Sequence, residues 1–201
     1  MANCEKYFAG SLDSPLTELG MRQAELTANY IVQNFHVDGV YSSDLQRAFM
    51  TAKVLADRLG QQVIACPDLR EIYGGQWEGK PFDQLQILCP KTYGTWLSDI
   101  GNAVCDGGES VAQMQLRVVE ALKRIALDNP GKTLALVCHG TPIRSVQCLC
   151  EGKTLSEMKD VKWVSNASVS QLVFEDNRFY MEQISSDDHL GELISVLPAN
   201  C

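Results

Sequence analysis

The stretch that most constrains this chain is a short apolar run and the segment just after it: Leu134-Ala-Leu-Val-Cys138, then His139-Gly140-Thr141-Pro142-Ile143-Arg144. A run this short, with Thr133 ahead of it, suits a buried strand better than a core helix. Thr141 is a plausible helix N-cap, and Pro142 suits the first helical position, where a missing N–H costs nothing. A buried strand that turns directly into a helix is the repeating step of an α/β fold with a mainly parallel sheet.

The rest of the chain repeats that step. Ala24, Ala28, Ile31, Val32 and Phe35 form an apolar stripe at helical spacing, as do Ala48, Ala52, Leu55, Ala56 and Leu59. Val111, Met114, Val118, Leu122 and Ile125 form a third. Between them, residues 39–42 and 62–65 read as buried strands. Near the end, Val169 to Phe174 and Phe179 to Ile184 flank Glu175-Asp176-Asn177-Arg178, which predicts a hairpin. The expected architecture is a three-layer α/β sandwich with a mainly parallel central sheet. At 201 residues the chain suits a single domain over 1–201. Residues 69–110 are rich in glycine and aromatics and poor in periodicity. They are expected to form an excursion, or lid, over one end of the sheet.

Charge narrows the function. The formal net charge is -8, which repels nucleic acid and anionic membranes and excludes both as expected partners. An anionic substrate would need a local basic pocket. Eight cysteines include no CxxC pair and no Cys/His ligand spacing, so no metal site is expected and reduced thiols in a cytoplasmic protein are. Cys138, inside the apolar run, reads as a small buried hydrophobe. The start shows no apolar leader, and no run is long enough to span a bilayer.

In an open α/β sheet, ligands bind beyond the carboxyl ends of the strands, next to helix N-termini. His139 stands at such a junction; a histidine bonded to backbone in a tight turn satisfies the position equally. A second junction is Val40-Tyr-Ser-Ser-Asp44, with Arg47 in the first turn of the next helix. A cation there opposes the helix dipole, at a cost of a few tenths to about 1 kcal/mol. Joint binding of a phosphate would offset that cost. A salt bridge to Asp44 is the simpler alternative. In the stretch Leu69 to Gly79, Glu71 and Glu78 lie among glycines and aromatics. A partly buried glutamate there has a raised pKa and can act as a general acid, whereas a solvated or paired one does neither.

In sequence order, these segments resemble the histidine phosphatase (phosphoglycerate-mutase-like) superfamily. Phe8 to Gly20 with Gln23-Ala24 resembles the segment that follows the family's nucleophile. Tyr41 to Ala48 with Thr51-Ala52 resembles its second-arginine motif, and Leu69 to Gly79 its acid motif. Gly107-Gly-Glu-Ser110 with Arg117, and Val137-Cys-His-Gly140 with Ile143-Arg144, resemble the cap-edge and second-histidine motifs. Asn166 to Val169 resembles the lead-in to the last strands. The resemblance implies that Arg47 clamps phosphate oxygens and that His139 stabilises the transferring phosphoryl group. Glu71 would protonate the leaving alkoxide and then activate water. Asn3 and Gly10, with Gly140, would line the phosphate pocket. No cofactor or metal is implied. The implied partner is a small phosphorylated metabolite; a homodimer is allowed but no feature demands it.

The family's nucleophile comes from an Arg-His-Gly motif ending a strand just ahead of the position of Asn3, and this sequence carries no such motif. The remaining histidines, His36 and His189, lie in nothing like it. The expectation is a phosphomonoester hydrolase whose native form begins upstream of Met1, with the 201 residues alone inactive. The alternatives are a phosphate-binding module without turnover, a shortened chain with weak chemistry by another route, and a phosphoglycerate mutase. Glu71 and His139 are only 68 residues apart, and the Ile72 to Gly79 stretch resembles the phosphatase branch rather than the mutase branch.

Overall fold

Strand alternation sorts the core into two layers. A computed structural model describes residues 7–195. Its parallel sheet has the order β2–β1–β3, with β1 at Gly39–Ser42, β2 at Val63–Ala65 and β3 at Leu134–Val137. Successive side chains on a strand point to opposite faces. Val40, Val63, Ala135 and Val137 therefore share one face, packing with α1 (Glu18–Asn34) and α2 (Gln46–Leu59) through Ala28, Ala52 and Leu55. Tyr41, Leu134 and Leu136 share the other, against a larger core that includes Val118, Ile125 and Val146. Those residues come from α5 (Val111–Asp128) and α6 (Gly140–Cys150). The expected helix–sheet–helix layering results.

The three apolar stripes map onto α1, α2 and α5. The ends and edges differ from the sequence reading. Val32 is exposed and Phe35 falls one residue past α1, because the buried face of that helix turns to Gln23, Ala24, Thr27 and Ala28. Thr17 caps α1, its Oγ1 accepting from the Gly20 amide at 3.0 Å. A capping box starts α5: Ser110 Oγ accepts from Gln113 N–H at 3.1 Å, and Gln113 Oε1 from Ser110 N–H at 2.9 Å.

The hairpin comprises β4 (Val169–Glu175) and β5 (Arg178–Ser186). Its loop is only Asp176-Asn177, both at positive φ (49° and 60°), as a two-residue turn that matches strand twist requires. Glu175 pairs directly with Arg178, so both belong to the strands and not to the turn.

Among the described residues β3 pairs with β1 alone, and the hairpin forms a separate two-stranded sheet. All four residues of β3 are only half-buried. A central strand of an α/β sheet covered on both edges would be buried throughout.

The 69–110 stretch is built of α3 (Phe82–Leu88), α4 (Pro90–Ser98) and short 3-10 turns. Trp77 and Trp96 pack edge-to-face on Phe8 and on each other, and Tyr93 packs edge-to-face on Trp77, ring centroids 5.1–5.9 Å apart. They belong to the same core cluster as Val118 and Val146. No helix among the described residues is long and apolar enough to cross a membrane.

Candidate active site

Two strand ends meet at a buried histidine. β1 ends at Ser42 and β3 at Val137, paired in register, and the Ser43 amide donates to the Val137 carbonyl at 2.9 Å. That bond brings Ser43 and His139 side by side. His139 Nε2 and Ser43 Oγ lie 2.9 Å apart, both residues buried. Burial first, then the nearby charges of Arg47 and Arg117, hold the His139 pKa well below the usual imidazole range. The ring is neutral at pH 7, and Ser43 serves as its partner. Sequence reading did not single out Ser43; only the strand register reveals it.

His139 is itself the N-cap of α6, which begins at Gly140. The expected start at Thr141, with Pro142 first in the helix, is therefore corrected. The chain bends into helical geometry two residues earlier, and Pro142 occupies the third position, still within the turn whose N–H groups lack helical partners. The Thr141 amide is free to donate to Glu71 Oε2 at 3.2 Å, while the Ile72 amide donates to Glu71 Oε1 at 2.8 Å. Burial dominates this carboxyl and raises its pKa; those two amides and Arg47 oppose it without winning. A carboxyl protonated above the ordinary range, beside a helix N-terminus, has the properties of a general acid.

Arg47 sits in the first turn of α2 as expected, but not paired with Asp44. Asp44 takes a bidentate bond from Arg70 at 2.6 and 2.5 Å instead. Arg47 donates to the carbonyls of Leu12 and Gly10 at 2.7 and 2.8 Å, and its charge interacts with Glu71 and His139. Asp13, next in the same loop, relieves the dipole conflict. Its carboxylate accepts from the Gln46 amide at 2.7 Å and so caps α2 from a distant segment.

Gly10 completes this side. Its φ is +51°, and a Cβ there would stand 2.7 Å from Glu78 Oε1 and 3.0 Å from the Ile72 carbonyl oxygen, so only glycine fits. Glu78 is committed elsewhere. Its Oε1 accepts from Ser11 N–H, Ser11 Oγ and Gly74 N–H at 2.7, 2.7 and 3.0 Å, stitching the 10–11 turn to the acid loop. Of the two glutamates, Glu71 faces the site and Glu78 builds it.

Gly10, Arg47, Glu71, His139 and Gly140 thus converge beyond the carboxyl ends of β1 and β3. Asn3 lies outside the described residues. Cys138 is half-buried, not fully buried; its thiol pKa is nevertheless pushed up to about 12 by desolvation. Arg144, from the same motif as His139, points away. It donates to the carbonyls of Val161 and Lys159 at 2.8 and 3.1 Å and lies 4.4 Å over the Trp163 ring.

Known proteins resemble this chain in sequence and fold. The sequence profile of the histidine phosphatase superfamily (branch 1) matches residues 1–187. Phosphoserine phosphatase 1 of Hydrogenobacter thermophilus is 30% identical over 185 residues, spanning 92% of this chain and 87% of its own length. Phosphoglycerate mutase-like protein 4 of Arabidopsis thaliana is 30% identical over 193 residues, spanning 94% and 82%. Bacillus stearothermophilus YhfR superposes with a TM-score of 0.89 over 94% of this chain and 93% of that one, at 24% identity, a likeness of fold. A mycobacterial glucosyl-3-phosphoglycerate phosphatase solved with VO3 gives 0.84 over 92% and 94%, at 26% identity. By profile, identity and fold together, the chain belongs to the histidine phosphatase superfamily, branch 1.

Proposed function

We propose that this domain serves a metal-independent phosphomonoester hydrolase of the histidine type, acting on small phosphorylated metabolites. The observation that carries the reading is Glu71. It is a half-buried residue whose desolvated carboxyl has a raised pKa at the N-terminus of α6, within reach of the Arg47 charge and in the same pocket as His139. In this reading Arg47 and the amides from Gly140 onward hold the phosphoryl oxygens. Neutral His139, steadied by Ser43, donates a hydrogen bond to the phosphoryl group as charge develops. Glu71 gives its proton to the leaving alkoxide and later takes one from water. Phosphoserine phosphatases and a glucosyl-3-phosphoglycerate phosphatase among the similar proteins support small phosphomonoesters as the substrate class.

The nucleophile in this reading is a histidine on a strand seated against the edge of β3 that pairs with no strand among the described residues, which would point it at the same pocket. His36 is exposed beside Asp38, and His189 is stacked on Tyr30 with its Nε2 at Thr27, so neither suits the role. A second reading, a phosphate-binding module without turnover, is favoured by that same lack of an Arg-His-Gly motif in the sequence.

Assaying phosphoserine and p-nitrophenyl phosphate turnover separates the two. The test compares the 201-residue chain with a version carrying an Arg-His-Gly strand. Turnover with acid-labile phosphohistidine in the second version supports the hydrolase. Phosphate or vanadate binding with no turnover in either version supports the binding module. Phosphate exchange between bisphosphoglycerate and monophosphoglycerates would instead mark a mutase.

A further inference from the structure

The loop that carries Glu71 has no regular secondary structure between Leu69 and Gly75. Its carbonyls need partners, since an unpaired buried backbone group costs free energy comparable to a lost hydrogen bond. One side chain of α5 supplies them. Arg117 Nη1 donates to the carbonyls of Asp68 and Arg70 at 2.8 and 2.9 Å, and Nη2 to the carbonyl of Glu71 itself at 2.9 Å. Its Nε and Nη2 donate to the two carboxylate oxygens of Glu109 at 2.7 and 2.9 Å. A guanidinium has five N–H donors in a planar fork, and these are five bonds.

Glu109 closes the bracket from the other side of the acid. Its Oε2 accepts from the Tyr73 amide at 3.0 Å, and its own amide donates to the Tyr73 carbonyl at 2.8 Å. The neighbouring backbone is pressed close, since a Cβ on Gly108 would stand 2.2 Å from the Tyr73 oxygen. Residues on both sides of Glu71 are thus tied to one ion pair, yet neither Arg117 nor Glu109 is bonded to its carboxylate.

We infer that Arg117 and Glu109 are positioning residues for Glu71: together they hold the acid loop against the N-terminus of α6 and so keep the carboxyl dry and aimed into the pocket. The inference rests on the reading of Glu71 as the acid. The physical reason is geometric. A displacement of about 1 Å at a catalytic group is enough to cost activity about 100-fold, and a loop held mainly by carbonyl bonds drifts when their shared donor is lost. Lysine cannot replace the arginine, because an ammonium is a single point with three donors and cannot reach five acceptors spread across a plane.

The test is the titration of Glu71 itself, followed by the 13C carboxyl resonance that disappears in Glu71→Gln. The groups that share this pocket with Glu71 are Arg47, His139, Cys105 and Cys138; burial raises both thiols and lowers the imidazole, and the assigned carboxyl resonance follows Glu71 alone. In Arg117→Lys the midpoint should move down toward the ordinary glutamate range as water reaches the loosened loop. Glu109→Gln should move it the same way by less, and it keeps the inference testable if Arg117→Lys does not fold. Val118→Ala, a core truncation at the next position of α5, should lower the melting temperature and leave the midpoint unmoved. An unmoved midpoint in both clamp variants overturns the inference, as does an equal shift in Val118→Ala. Absence of turnover in every version would break the hydrolase reading alone, because the titration does not depend on it.

Discussion

The two strand-to-helix junctions solve one electrostatic problem with opposite results. At the start of α2, Asp13 places a carboxylate on the Gln46 amide; at the start of α6, Glu71 places one on the Thr141 amide. Asp13 is exposed, and its bonds to Gln46, side chain first and backbone second, hold its pKa below the ordinary range. Glu71 is half-buried, and desolvation of its carboxyl carries the pKa upward despite its two amides and Arg47. A helix N-terminus favours a carboxylate by roughly 0.3–1 kcal/mol at the surface, whereas burial of a charged carboxyl shifts its pKa by up to several units. The contact is shared, and depth decides whether it makes a cap or an acid.

The greatest loss should fall on the acid side. In a version that turns over substrate, Glu71→Gln should slow hydrolysis of alkyl phosphates by about 100- to 10,000-fold, and that of p-nitrophenyl phosphate far less. Equal slowing across leaving groups would break the assignment. Arg47→Ala and His139→Ala should each cost about 100-fold or more in kcat, whatever the leaving group. Unchanged rates in both would remove these residues from the phosphoryl pocket.

A second expectation concerns stability and pH. The folded protein holds the Glu71 proton more tightly than the unfolded chain does. This contribution is intact below the unfolded pKa and is lost as pH rises through the folded one. Glu71→Gln, which cannot ionise, should therefore melt above the parent at pH 8 and lose that advantage by pH 4. Asp13 has the opposite sign: its contribution is present above the unfolded pKa and lost as pH falls through the folded one. Asp13→Ala should cost about 1 kcal/mol at pH 7, as removal of an N-cap does, measured by urea unfolding. A parallel pH dependence in the two variants would erase the contrast.

A further change, with little expected effect on KM, tests the link between the junctions. Ser43→Ala removes the partner of a buried imidazole and should destabilise by about 1–3 kcal/mol, while substrate KM changes little. A loss of activity as large as in His139→Ala would make Ser43 more than a support.

Most of the fold was legible because it is written in periodicity. β1 and the three helical stripes follow from residues whose burial depends on their own segment. The candidate site was legible in part, through junction position and family motifs, which pointed to Arg47, Glu71, His139, Gly10 and Gly140 as its residues. What escaped depends on partners distant in sequence. Asp13 caps a helix 33 residues away, Asp44 is paired with Arg70 and not Arg47, and three of the five Arg117 bonds go to carbonyls 46 to 49 residues back. No local pattern announces such bonds. The early start of α6 escaped for another reason. Thr141 is a good cap by type, but the pairing of β3 with β1 ends at Val137 and leaves room for the helix to begin at Gly140.

The aromatic cluster over the sheet also gives the molecule an optical signal of its own. Of its three tryptophans, Trp77 and Trp96 lie edge-on to one another within the 69–110 stretch, and Trp163 lies under the guanidinium of Arg144 beyond α6. Undocking of that stretch would change the emission of two indoles while leaving the third, and most of the helical circular dichroism, in place. The wavelength at which the protein fluoresces therefore reports whether the 69–110 stretch is seated on the core, with no label added.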